Sequence, residues 1–173
     1  MSNSSVYFGG SRHQKNISYQ QVRAVVHMVA SLGYSAHVGC QFGADQAVIN
    51  AGQSFLPLHV FVVAPKATAP AHVLNAVVAS VTYSAGGNTA PDHARYLLRS
   101  IAAFQGCSQA VFFSPGAGSL AVARECVRSS LSVFAFQQEP PARVPSVSGQ
   151  WVASSFLGFS CWQWSAPKQI SLF

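Results

Sequence analysis

The sequence predicts a three-layer α/β fold: a mostly parallel sheet of about six strands, helices on both faces, and a C-terminal β-hairpin extension. Three observations carry this. Short apolar runs alternate along the chain with segments of helical periodicity. The runs are apolar on successive residues, as in strands buried on both faces. Four of them end in small-residue loops, as expected where strands give way to helices.

In order, Val6-Tyr7-Phe8 reads as a brief buried strand stopped by Gly9-Gly10. Ser18, with Gln21 at the capping-box position, opens a helix whose Val22, Val25, Val26, Val29 and Ala30 share one face. Gly33 ends it, and Ser35 to Val38 makes the second strand, stopped by Gly39. Gly43-Ala44-Asp45 opens a short helix through Asn50, closed by Gly52. Leu58 to Val63, β-branched and aromatic between Pro57 and Pro65, is the clearest strand. Pro70 suits the first turn of a helix carrying Val73, Leu74, Val77 and Val78. Val81 to Ser84 reads as a fourth strand, and Asp92 caps a helix through Ile101 and Ala102 that ends near Gly106. Ala110 to Phe113, Ser119 to Arg128 and Ser132 to Phe136 follow as strand, helix and strand. Beyond Phe136 the composition changes. Glu139-Pro140-Pro141 and Pro145 form an extended linker, and Gln150 to Trp164 forms an aromatic hairpin turning at Gly158. The expected division is therefore a domain over 1–136 and an extension over 137–173, packed on the same domain or on a partner subunit.

Composition narrows the function classes. Half of the 173 residues are hydrophobic and only 8% are charged, which supplies a large core and argues against disorder. It also leaves an unusually neutral surface, so a homo-oligomer is expected. Ten Lys and Arg face four acids, for a formal charge of +6. This favours an anionic partner, and scattered arginines, whose planar forks match phosphate, favour defined phosphate contacts. Cys40, Cys107, Cys126 and Cys161 have no metal-type spacing, so no metal is expected. The start leaves no room for a signal peptide's apolar stretch. No apolar run approaches the ~20 residues of a membrane span. The expected location is cytoplasmic, with no membrane partner and no cofactor.

The loops point to the ligand. Gly9-Gly10-Ser11-Arg12, Gly39 to Asp45, Ala85-Gly86-Gly87-Asn88-Thr89 and Ser114 to Ser119 all follow strands. In open parallel sheets ligands bind beyond the carboxyl ends of strands, where helix N-termini offer free N–H groups. Glycine lets a backbone come close to phosphate. None of the loops is a Walker loop. Gly116-Ala117-Gly118 is followed by Ala121 where a dinucleotide fingerprint has its third glycine.

Phe8-Gly9-Gly10-Ser11-Arg12, His37-Val38-Gly39-Cys40 with Gly43-Ala44-Asp45, and Phe112-Phe113-Ser114-Pro115 with Gly118-Ser119-Leu120 and Ala123-Arg124 together resemble the SLOG superfamily of Rossmann-like domains. That superfamily includes the Lonely Guy phosphoribohydrolases, the DNA-processing protein A family and small stand-alone members. The resemblance spans roughly Val6 to Phe136. It implies a nucleotide-derived or nucleic-acid ligand at the strand ends, with Ser11 and Arg12 on the first loop, Asp45 on the second, and Gly116, Gly118 and Ser119 on the last. Lonely Guy enzymes carry P-G-G-x-G-T-x-x-E. Here the corresponding stretch, Pro115 to Val122, is one residue shorter: Ala117 stands for the second glycine and Ser119 for the threonine, and the acid is missing, with Glu125 three residues beyond Val122.

The candidate ligand-binding set is thus Gly10, Ser11, Arg12, Gly39, Gly43, Asp45, Gly86, Gly87, Asn88, Gly116, Gly118, Ser119 and Arg124. Glu125 and Asp45 are the available catalytic acids. Arg12 is expected either on phosphate or resting on Asp45. Asp45 is expected either on a ribose hydroxyl or as a helix cap. Arg95 and Arg99, like Arg124 and Arg128, are four apart and share a helix face, either solvated or forming a second basic patch. The leading expectation is binding of a phosphorylated nucleotide or nucleotide-derived small molecule. A nucleoside 5′-monophosphate phosphoribohydrolase and a single-stranded DNA-binding protein are the alternatives.

Overall fold

The computed structural model describes residues 4–63, 69–83 and 92–167. Its axis is β1 (Ser5–Gly10), six residues that run on through both glycines. The strand is longer than its apolar run suggests because Gly9 and Gly10 keep register with Phe112 and Phe113. Val6 and Phe8 enter one core and Tyr7 the other, so the strand is apolar on consecutive residues because both faces are covered.

The parallel strands are β1, β2 (Ser35–Val38), β3 (Leu58–Val62), β4 (Ser80–Tyr83), β5 (Gln109–Phe113) and β6 (Ser132–Phe136). The antiparallel hairpin β7 (Gln150–Phe156) and β8 (Phe159–Ser165) extends the same sheet, whose order is β4-β3-β2-β1-β5-β6-β8-β7. The expected six-stranded parallel sheet with a hairpin extension is therefore present, as one sheet of eight strands.

One helical layer comprises α1 (Tyr19–Ser31), α2 (Ala44–Gly52) and α3 (Ala71–Leu74). Ser18 caps α1 by accepting from the Gln21 N–H, and Val22, Val25, Val26 and Val29 are buried at helical spacing. They pack on Phe8, Phe113 and Phe136, whose rings lie 6.1 Å and 5.5 Å apart across β1, β5 and β6. Burying each such ring stabilises the fold by about 1.5–3 kcal/mol. The other layer is α4 (Asp92–Phe104) and α5 (Ala117–Arg128), which bury Ala103, Phe104, Leu120, Ala123 and Cys126 against Tyr7 and Phe112.

Helix α3 is shorter than its pattern suggests. It stops at Leu74, and Val77 is exposed rather than on a buried helical face. The end of α2 captures the backbone there: the Ser54 N–H donates to the Val77 carbonyl at 3.2 Å, and the Gln53 side chain accepts from the Val77 N–H at 3.4 Å. Both bonds hold the backbone of Val77, a β-branched residue of modest helix propensity, outside the helix.

The hairpin packs on its own chain. Phe156 and Cys161 join the first core and Trp164 the second. Trp151 and Trp164 meet edge to face at 5.3 Å, while Trp151 and Trp162 donate their indole N–H groups to the Ala142 and Gln137 carbonyls. Among the described residues no helix is long and apolar enough to cross a membrane.

Candidate functional site

Strand β1 lies between β2 and β5, and the chain builds outward from it first on one side and then on the other. Loops leaving the carboxyl ends of β1 and β5 therefore diverge, the topological switch point where open α/β sheets take ligands. A cleft of about 380 Å³ opens there, bounded by the β1 loop, α4 and the start of α5.

Close backbone contacts build its floor. Gly10, at φ +151°, lies where a Cβ would collide with the Phe113 carbonyl oxygen. Gly43, at φ +79°, lies where one would collide with the Ser11 carbonyl. Both positions need glycine for conformation and for space. The loops after β1 and β2 are thereby locked together: the Ser11 N–H donates to the Phe113 carbonyl and the Ala44 N–H to the Ser11 carbonyl, both at 2.9 Å.

The buried Ser11 hydroxyl accepts from the His13 N–H at 3.1 Å and the Asn16 amide at 3.4 Å, so it shapes the loop. Ser119 does similar work from α5, donating to the Gly10 carbonyl at 2.7 Å. Ser11 and Ser119 both line the cleft, with their hydroxyls turned to the chain itself.

Behind this floor lies a buried ion pair. Asp45 Oδ2 accepts from Arg99 Nη1 at 3.3 Å and from the Gln41 N–H at 3.0 Å, and the two charged side chains are only 8% and 7% exposed. Burial works to lower the basicity of Arg99, but the charge of Asp45, followed by Tyr7, outweighs it, leaving the guanidinium more firmly protonated than usual. Tyr7, buried on the same wall, has its hydroxyl pKa raised, chiefly by desolvation. Gly39 makes the pair fit: a Cβ there would overlap Arg99 Nη1 and Asp45 Oδ2.

Asp45 thus rests on Arg99, and Arg12 stays at the cleft mouth. Arg12 is exposed, with its guanidinium carbon 4.9 Å from the Tyr96 ring centre. Arg99 approaches the same ring at 5.7 Å. The Arg95–Arg99 face is neither solvated nor a surface patch, since Arg99 is buried on Asp45 and Arg95 donates to the Val63 carbonyl at 3.1 Å.

Gly116 and Gly118 are exposed at the start of α5, where the first-turn N–H groups have no partner within the helix. A Cβ at either would meet nothing within 4 Å. Arg124 and Glu125 lie further along α5, off the cleft lining. There Glu125 accepts from Arg124 Nε at 2.6 Å and Arg128 Nη1 at 3.3 Å. Gly86, Gly87 and Asn88 lie outside the described residues.

Tyr7, His13, His93 and Tyr96 line the cleft without having been singled out by sequence, and Arg99, read there only as part of a helix face, joins them. The four-residue spacing of Arg95 and Arg99 was the available signal, but it does not say which way the helix faces. Among the described residues no group of three or more His, Cys, Asp or Glu could hold a metal ion.

No family profile and no curated protein matches the sequence. Solved structures do match the fold. DNA processing protein A from Helicobacter pylori, described for its single-stranded DNA binding mode, aligns at a TM-score of 0.65 and 14% identity over 79% of this chain and 66% of that one. The Streptococcus pneumoniae protein aligns at 0.60 and 17%, over 83% of this chain and 52% of that one. The chain thus spans about two thirds and one half of those two chains. It carries the Rossmann-like fold of DNA processing protein A.

Proposed function

We propose that the cleft binds single-stranded DNA through its phosphate backbone. The carrying observation is the pair Gly116, at the N-cap of α5, and Gly118, in its first turn. Glycine within a helix costs about 0.8–1 kcal/mol against alanine, and at Gly118 no internal contact demands it, since a side chain there, as at Gly116, would meet open space. What glycine leaves is an unobstructed helix N-terminus, a natural seat for an anion, with Arg12 lining the same cleft. The net charge of +6 supports the reading, as does a fold shared with a protein that binds single-stranded DNA.

Fluorescence anisotropy with a labelled thymidine 20-mer over a salt series tests it. Each phosphate contact adds about −0.7 to the slope of log affinity against log salt for single strands. Arg12→Ala should weaken binding about tenfold to a hundredfold, as loss of a charged hydrogen bond does, and flatten the slope by about 0.7. Arg12→Lys should restore part of the affinity, because ammonium lacks the planar fork. An unchanged affinity and slope in Arg12→Ala would refute the assignment.

A phosphorylated nucleotide or nucleotide-derived small molecule is the second reading. It is favoured by the cleft volume of about 380 Å³, within the ~300–1,000 Å³ of small-molecule sites. Calorimetric titration with mononucleotides separates the two: tight mononucleotide binding beside weak 20-mer binding would select it. Four free, buried cysteines support a reducing, cytoplasmic setting. The sparse surface charge supports a homo-oligomer.

A further inference from the structure

We infer that Phe42, on the loop between β2 and α2, is a stacking platform for a nucleobase of the bound strand. This rests on the single-stranded DNA reading of the cleft. Phe42 is 60% exposed, more than any other phenylalanine, tyrosine or tryptophan side chain among the described residues. Phe55 is also exposed, but it follows the far end of α2 and meets His27 at 4.6 Å.

The place of Phe42 distinguishes it from an ordinary surface residue. Gln41 before it lines the cleft, and Gly43 after it packs against the Ser11–Arg12 backbone. The Gln41 N–H is tied to Asp45, and the Ala44 N–H to the Ser11 carbonyl. Fixed on both sides, the loop leaves the ring exposed next in sequence to Gln41 of the cleft lining, though Phe42 itself does not line the cleft. His72 supports the ring from one side, with centres 5.3 Å apart. A strand whose phosphate sits by Arg12 and the start of α5 would bring a neighbouring base to this ring. Bases of any identity stack on aromatic faces, so the contact adds affinity without reading sequence.

The full chain is titrated with a labelled thymidine 20-mer and with the same backbone made abasic. Phe42→Ala should weaken the thymidine strand about 5- to 100-fold, the range of one base–aromatic stack, and leave both abasic binding and the melting temperature unchanged. Phe42→Leu, apolar but not aromatic, should behave like Phe42→Ala. Phe42→Trp should bind like the wild type, with its added fluorescence quenched by the thymidine strand. Equal binding of both strands by the wild type overturns this inference alone. So does a Phe42→Ala protein that keeps its preference for bases. A wild-type chain that binds neither strand overturns the parent reading and this one with it.

Discussion

Replacing Gly39 with alanine should destabilise the protein by displacing the buried ion pair behind the cleft. The new Cβ would fall on Arg99 Nη1 and press on Asp45 Oδ2. Arg99 is a flexible side chain, but its guanidinium is buried and its partner is Asp45, so moving aside means breaking the pair. Stranding one member of a buried pair costs about 3–5 kcal/mol. Alanine returns about 0.4–1 kcal/mol by restricting the unfolded chain, leaving a net loss of roughly 2–4 kcal/mol. At about 2–4 °C per kcal/mol for a chain of this size, the melting temperature should fall by roughly 4–16 °C. Urea unfolding and calorimetry measure both quantities. Gly118→Ala, within α5, is the control: its Cβ meets nothing within 4 Å, so stability should hold or rise slightly. Adding Arg99→Met and Asp45→Asn to Gly39→Ala should recover much of the loss, because the clash and the stranded charge both go. A Gly39→Ala protein as stable as Gly118→Ala would show that Arg99 relocates freely and that the buried pair does not organise the cleft.

Two further outcomes follow from burial and from charge. His37 is half-buried, its Nδ1 2.6 Å from the Ala103 carbonyl and its ring 5.0 Å from His59; desolvation first, and then His59, lower its pKa against the opposing pull of Ala103. His72 is lowered as well, chiefly by burial. The unfolded chain takes these protons near pH 6.5 and the folded chain only at lower pH. Stability should therefore be complete above about pH 6.5 and decline as pH falls towards the folded values. Urea midpoints between pH 8 and pH 5 should show this, with a shallower decline in His37→Phe; a flat profile would refute it. Light scattering at low micromolar concentration should give a mass above the 18.3 kDa chain; a clean monomer would count against the homo-oligomer.

The layers were legible because burial on two faces leaves a mark that needs no tertiary knowledge. Val6-Tyr7-Phe8 is apolar without alternation, and the α1 valines repeat at helical spacing. Of the cleft, Gly10, Gly43 and Asp45 were legible because glycine and a lone acid at strand ends are local signals. Arg99 was not, because its role depends on α4 crossing over Gly39, sixty residues earlier in sequence. The same distance explains Arg12. From sequence, Asp45 is as plausible a partner for Arg12 as for Arg99, and only the packing of α4 gives the carboxylate to Arg99. Where α3 ends was likewise settled by two bonds from the end of α2.

The placement of acids bears on whether the cleft binds or reacts. Cleaving an N-glycosidic bond needs a carboxylate or another base within about 2.6–3.2 Å of the proton it moves. The carboxylate lining the cleft among the described side chains is Asp45, and its Oδ2 already accepts from Arg99 and from the Gln41 backbone. Protonating it during a reaction would leave the Arg99 charge buried without its counter-ion, a penalty of several kcal/mol at the moment catalysis requires the opposite. Glu125, the other candidate, is held by Arg124 and Arg128 away from the cleft lining. The same bond that withholds Asp45 from chemistry also cancels the charge of Arg99. Of its charged side chains the cleft is left with Arg12, beside the open N-terminus of α5, as its attraction for anions.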